Sequence, residues 1–162
     1  MNTDVMFSKA SDEWSTPQDF YDELQLEFLF QWDAAATKQT SKTGWYNYFG
    51  LDHTVAEYKD ALQVEWITFD RRRIFLNPPY SQVRAFMAKA ANAVKNSWSF
   101  GVVVCLVPAR TDTRWWHEYV WNSVQHRPRL GVEVRFIKGR LKFGDAKASA
   151  PFPSALVIFR LV

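Results

Sequence analysis

Cysteine is almost missing from this chain. Cys105 is the only one among 162 residues, so no disulfide can form within one copy, and its place in the apolar run 102–107 marks it as a small buried hydrophobe. Histidine is scarce too: His53, His117 and His126 have neither metal-ligand spacing nor cysteine partners, which argues against a zinc site. No apolar run approaches the ~20 residues of a membrane span. Residues 1–14 lack the basic-then-apolar pattern of a secretory signal, so a cytoplasmic protein without membrane or metal partners is expected. Internal repeats and low-complexity tracts are absent. What is present suits a globular protein: 48% hydrophobic residues suffice for the core of one domain spanning 1–162, with 1–13 read as a disordered leading segment.

Charge is unevenly placed. Residues 1–76 hold 7 Lys and Arg against 13 Asp and Glu, a balance of −6, whereas residues 77–162 hold 13 against 4, a balance of +9. A basic half is the expected footprint of phosphate contacts, although charge excess alone often marks only a solvated face. Eight tryptophans and 17% aromatics exceed the needs of a small core, and rings among arginines can stack on bases.

The most informative stretch is Arg-Ile-Phe-Leu-Asn-Pro-Pro-Tyr at 73–80. Residues 73–76 read as a short strand. Asn77 and Pro78 each precede a proline, which pushes both into extended conformations, and the prolines have fixed φ and no N–H. Such a stiff turn can hold the Asn77 side-chain carbonyl beside the Pro78 backbone carbonyl, with Tyr80 as a flat wall. Two acceptors and a ring suit a planar amine. The same residues are also common strand-ending punctuation, so their neighbours must decide.

Thr16-Pro17-Gln18-Asp19 reads as a helix start, with Thr16 as N-cap and Pro17 first in the helix, followed by a stripe of Phe20, Leu24 and Phe28. A strand over 28–32 then ends at Asp33-Ala34-Ala35-Ala36, where an acidic strand end can accept from a ribose hydroxyl or an ammonium group. Residues 37–64 read as a long loop with a short helix near 55–62. Ser81 caps a helix whose Val83, Phe86, Met87, Ala90 and Val94 share a face. The run 101–107 has the composition of a strand buried on both sides, and it ends at Pro108-Ala109-Arg110. A helix capped by Thr111-Asp112-Thr113 and strands over 132–137 and 154–161 come next, with a loop or hairpin from 140 to 143. This order predicts an α/β fold, a mainly parallel sheet with helices on both faces. In such a sheet Asp33, Asn77 and Arg110 would share the carboxyl edge, where ligands bind.

Taken in order, Trp14-x-Thr16-Pro17, Asp33-Ala-Ala-Ala, Asn77-Pro-Pro-Tyr80-Ser81, Leu106-Val-Pro-Ala-Arg-Thr-Asp-Thr-x-Trp-Trp116 and Gly139-Arg-Leu-Lys-Phe143 resemble the phage-type DNA adenine methyltransferases, over nearly the whole chain. The resemblance implies a Rossmann-like fold, S-adenosylmethionine (AdoMet) as methyl donor and double- or single-stranded DNA as partner. It implies catalytic roles for Asn77, Pro78, Pro79 and Tyr80, and cofactor contacts from Trp14, Thr16, Pro17, Asp33, Ala34 and Asn77. By the same resemblance Arg110, Thr111, Arg140 and Lys142 are candidate DNA contacts, with Phe143 a candidate second wall for the base. Many amino-methyltransferases carry a glycine-rich loop where this chain has Asp-Ala-Ala-Ala, which leaves the contacts to the methionine end of AdoMet open. Two rivals stay in play: transfer to another planar amine, in RNA adenine or a glutamine amide, and a DNA-binding relative without turnover.

Overall fold

The computed structural model describes residues 15–97, 100–144 and 149–162. The expected disordered segment 1–13 and the candidate Trp14 lie outside these residues. The chain forms a mixed α/β fold around a five-stranded sheet.

Helix α1 (Gln18–Phe28) buries Tyr21, Leu24 and Phe28. The stripe is turned slightly from the expected one, with Tyr21 inside and Phe20 half-buried. The helix start also differs. Pro17 is the N-cap and no side chain caps the helix, because the Thr16 hydroxyl is engaged elsewhere, accepting from Asn77. Strand β1 (Trp32–Asp33) pairs in parallel with β2 (Arg73–Leu76), which pairs in parallel with β3 (Val102–Pro108). Beyond β3 one strand is reversed: β7 (Ser154–Arg160) is antiparallel to β3, and β6 (Val132–Phe136), antiparallel to β7, again points the same way as β1, β2 and β3. The order is β1-β2-β3-β7-β6.

Against the expected mainly parallel sheet, the pairing is mixed, with two interfaces parallel and two antiparallel, because β7 alone runs against the other four strands. The expectation took burial on both faces of a strand as a sign of parallel pairing. Burial here has another origin. Val103, Cys105 and Val107 face a core completed by Phe86, Met87, Ala90 and Val94 of α2 (Val83–Lys95). Val104 and Leu106 face a second core with the buried stripe of α1. Alternate side chains of one strand thus enter two cores whatever direction the neighbour runs, and burial raises the Cys105 thiol well above its usual range.

After β3, the expected helix is a single π-helical turn, Trp116–Val120, leading into a hairpin of its own, β4 (Trp121–Asn122) with β5 (Arg127–Pro128). Between β1 and β2, the short helix expected near 55–62 is only a 3-10 turn, Ala56–Tyr58. That segment is nonetheless anchored. Arg71 lies over the rings of Trp32, Phe49 and Tyr58 at 4.9, 5.3 and 5.5 Å, and backbone hydrogen bonds join Asp33 to Asn47 and Phe49. Among the described residues no helix is long and apolar enough to cross a membrane, and no group of three or more His, Cys, Asp or Glu could hold a metal ion.

Candidate active site

Parallel pairing sends the ends of β1, β2 and β3 the same way. Asp33 lies opposite Phe75, and Leu76 opposite Cys105, so Asp33 and Asn77 emerge along one edge of the sheet. A cavity of about 530 Å³ opens there, lined by Thr16, Asp33, Asn77, Pro78 and Pro79 on the sheet side and by the segment beginning at Ala35 on the other. The volume lies in the range of small-molecule sites, about 300–1,000 Å³.

Asn77 is set by a contact 61 residues away in sequence. Its side-chain Nδ2 donates to Thr16 Oγ1 at 3.1 Å. The amide is planar, so sending the nitrogen towards Thr16 fixes which way the carbonyl on its other branch faces. Thr16 is buried, and the hydroxyl that could have capped α1 holds the orientation of this amide instead.

Asp33 is only 3% exposed. Its carboxylate accepts from the backbone N–H of Ala35 and of Lys42, both at 3.3 Å. Burial pushes its pKa up to about 7, against the smaller opposing pull of those two hydrogen bonds and of the Lys42 charge. It is thus the hinge between the strand end and the opposite wall. Gly50, on that wall, is required by close packing: a Cβ there would run into the carbonyl oxygen of Ala36.

Tyr80 begins a 3-10 turn, Tyr80–Gln82, ahead of α2. Its ring stands perpendicular to Phe152 at 4.9 Å, and burial raises its hydroxyl pKa well above the usual value. It therefore offers a neutral ring and hydroxyl, not a base.

The matching family model settles the relationship. A model described as DNA N-6-adenine-methyltransferase (Dam) matches residues 4–160. The chain belongs to this family. No curated protein matches it.

Within this Dam-family chain, the residues expected at the site divide into two groups. Thr16, Asp33, Asn77, Pro78 and Pro79 line the cavity together. Ala34 lies behind its wall, fully buried, with its N–H donated to the Phe75 carbonyl, and Ala35 and Ala36 reach the cavity instead. Tyr80 stands beside the lining. Pro17 faces a separate cleft with Asp19, Glu23, Arg140 and Lys142, where two carboxylates face the two cations expected to meet DNA. Arg110 and Thr111 are exposed beyond the end of β3. Phe143 is 2% exposed, sealed in the core with Phe152, so it cannot be an open wall for a base in this arrangement.

Residues 37–62 supply the half of the cavity that the sequence left unassigned. Thr37, Thr40, Lys42, Lys59 and Asp60 bring hydroxyls and both signs of charge, while Phe49, Leu51 and Leu62 bring apolar surface. The length of the segment was their only signal.

Proposed function

We propose that the cavity binds AdoMet and that the protein transfers its methyl group to the N-6 amine of an adenine turned out of DNA. The observation that carries this reading is the convergence of Thr16, Asp33 and Asn77-Pro78-Pro79 on one cavity in a Dam-family chain. The donor set suits the cofactor. Phe49, Leu51 and Leu62 match a purine, Asp33 and Asp60 match hydroxyls or an ammonium group, and Lys42 with the Thr37 and Thr40 hydroxyls matches a carboxylate. Gly50 supplies, on the loop wall, the close backbone approach for which the Asp-Ala-Ala-Ala strand end has no glycine. A Rossmann-like relationship fits the three parallel strands and the ligand cavity at their carboxyl edge.

AdoMet would supply an electrophilic methyl group, its S–CH3 bond giving way to the new N–C bond so that a neutral thioether is left and one amine proton passes to solvent. The adenine amine is a poor nucleophile because its lone pair is delocalised into the ring. Asn77 Oδ1 and the Pro78 carbonyl accept its two hydrogens, orient it and stabilise the positive charge that grows as the methyl arrives. Thr16 keeps the Asn77 amide turned for that task. Stiffness from the two prolines serves positioning, which a site of this kind needs to well under an ångström. Tyr80 stacks on the extruded base, a contact worth ~1–3 kcal/mol against an unpairing cost of a few kcal/mol.

The test is incubation with labelled AdoMet and unmethylated DNA, followed by digestion to nucleosides. Label in N-6-methyladenine is the expected outcome. Label appearing only in RNA or in protein glutamine would move the substrate to one of the rivals and overturn the DNA reading.

A further inference from the structure

The β4–β5 hairpin belongs to neither wall of the cavity. Trp121 pairs with Pro128 and Asn122 with Arg127, apart from the main sheet. Between them residues 123–126 form a turn that buries nothing; Val124 is 89% exposed. An exposed apolar tip gains nothing from folding, yet the turn is held firmly. Asn122 Oδ1 accepts from the N–H of both Val124 and Gln125 at 3.0 Å, and His126 is held in the left-handed region at φ 51°, a costly conformation for a residue other than glycine.

Its location is set by its ties. His117 joins Thr111, just beyond the carboxyl end of β3, to the turn, with Nε2 2.7 Å from the Thr111 carbonyl and Nδ1 2.7 Å from Ser123 Oγ. Since the carbonyl only accepts, Nε2 carries a proton. Arg129 donates twice to the His117 carbonyl, and Glu118 pairs with Arg84 in the first turn of α2, directly after Tyr80–Gln82. The hairpin is therefore anchored to the edge of the sheet from which Asn77 and Tyr80 emerge.

The chemistry of the turn is that of a base reader. Residues 119–132 contain two arginines and a histidine and no acidic residue. Arg127 Nε donates to Gln125 Oε1 at 3.0 Å, which fixes the plane of the guanidinium. It makes no other hydrogen bond among the described residues, so its terminal nitrogens stay available as donors. A two-stranded ribbon fits the major groove of B-form DNA, where an arginine fork matches guanine, a glutamine amide matches adenine and an apolar side chain meets the thymine methyl. The major groove of duplex RNA is too narrow for such a ribbon.

We propose that this hairpin enters the major groove of duplex DNA beside the target adenine and selects the flanking bases, with Arg127, supported by Gln125, as the main reader and Val124 beside it. The proposal rests on the reading of the neighbouring cavity as a DNA adenine methyltransferase site, and it assigns to the hairpin a share in that site's sequence preference.

Selection of bound duplexes from a randomised DNA pool tests it, using the intact protein, Arg127→Ala and Gln125→Ala, with AdoMet binding and thermal midpoint measured alongside. The intact protein should enrich a short motif. Arg127→Ala should lose on the order of tenfold or more in discrimination at one base pair, and Gln125→Ala less at the same or the adjoining pair, both with unchanged AdoMet affinity. Unchanged motifs in both variants, no motif for the intact protein, or preference for duplex RNA would each overturn the proposal. Hairpin-dependent selection without methyl transfer would sink the reading of the cavity and leave the hairpin standing. Adenine methylation with a profile indifferent to both variants would do the reverse.

Discussion

Two walls face each other across the cavity, and they are built differently. One is the sheet edge, where strand pairing sets the positions of Asp33 and Asn77, and Pro78 and Pro79 stiffen the turn beyond β2. The other, within residues 37–62, has no regular element longer than the turn Ala56–Tyr58 and is held by Arg71 over three rings and by backbone bonds such as Gly50 N–H to the Tyr58 carbonyl. The contrast suggests a division of labour. Under the proposed function, the atoms that would meet the reacting amine sit on the stiff wall, and the mixed charge that would meet the cofactor sits on the irregular one. Damage to the first should therefore reduce turnover, and damage to the second should reduce affinity.

The largest test is Asn77→Ala. Loss of a preorganised group at developing charge typically costs about 10²–10³ in kcat, so methyl transfer should fall at least that far while AdoMet affinity measured by calorimetry stays within a few-fold. Retained turnover would remove Asn77 from the chemistry. Next comes Gly50→Ala on the opposite wall. The new Cβ meets a backbone oxygen that cannot swing aside, so overpacking of about 1–3 kcal/mol should appear as a lower thermal midpoint and a weaker AdoMet Kd, with kcat at saturating cofactor little changed. A fall in kcat with Kd intact would erase the division between the walls.

The same contrast explains what could be read from the sequence. Asn77-Pro-Pro-Tyr80 was legible because proline restricts the backbone locally, without help from distant residues. Helix α2 was legible because its apolar period survives in the burial of Phe86, Met87, Ala90 and Val94. The reversed direction of β7 was not, since the alternating faces of β3 meet two cores under either pairing. The loop wall was hidden for a different reason: Arg71, Phe49 and Tyr58 come together only in three dimensions, with no periodicity to announce them. Phe143 shows the limit of motif reasoning, because its neighbours in sequence resemble a DNA-contacting element while its ring is a core residue.

Thr16→Val joins the two tests. Valine keeps the shape and removes the acceptor for Asn77 Nδ2, leaving a polar group to find a new partner at a cost of about 1–3 kcal/mol. With the amide no longer held, kcat should fall about tenfold while AdoMet Kd moves far less, and Thr16→Ser, which retains the hydroxyl, should recover most of the loss. Equal loss in the serine and valine variants would mean that Thr16 acts through packing alone.

The smallest effect concerns the carboxylate where the walls meet. Folding raises the Asp33 pKa from its ordinary 3.8 to about 7, so between those values the folded protein keeps a proton that the unfolded chain has released. Stability must then decline as pH rises through that window and level off above about 7; below about 4 both states are protonated and the effect vanishes. Asp33→Asn stays neutral throughout. Its lost acceptor towards Ala35 or Lys42 lowers stability by a constant amount, but the difference in thermal midpoint between variant and intact protein should shrink from pH 5 to pH 8. A cationic cofactor favours the ionised carboxylate, so AdoMet should bind intact protein several-fold more tightly at pH 8 than at pH 5, and the asparagine variant should lose that trend. A pH-independent gap in midpoint together with pH-independent binding would place the charge of Asp33 outside the energetics of both walls.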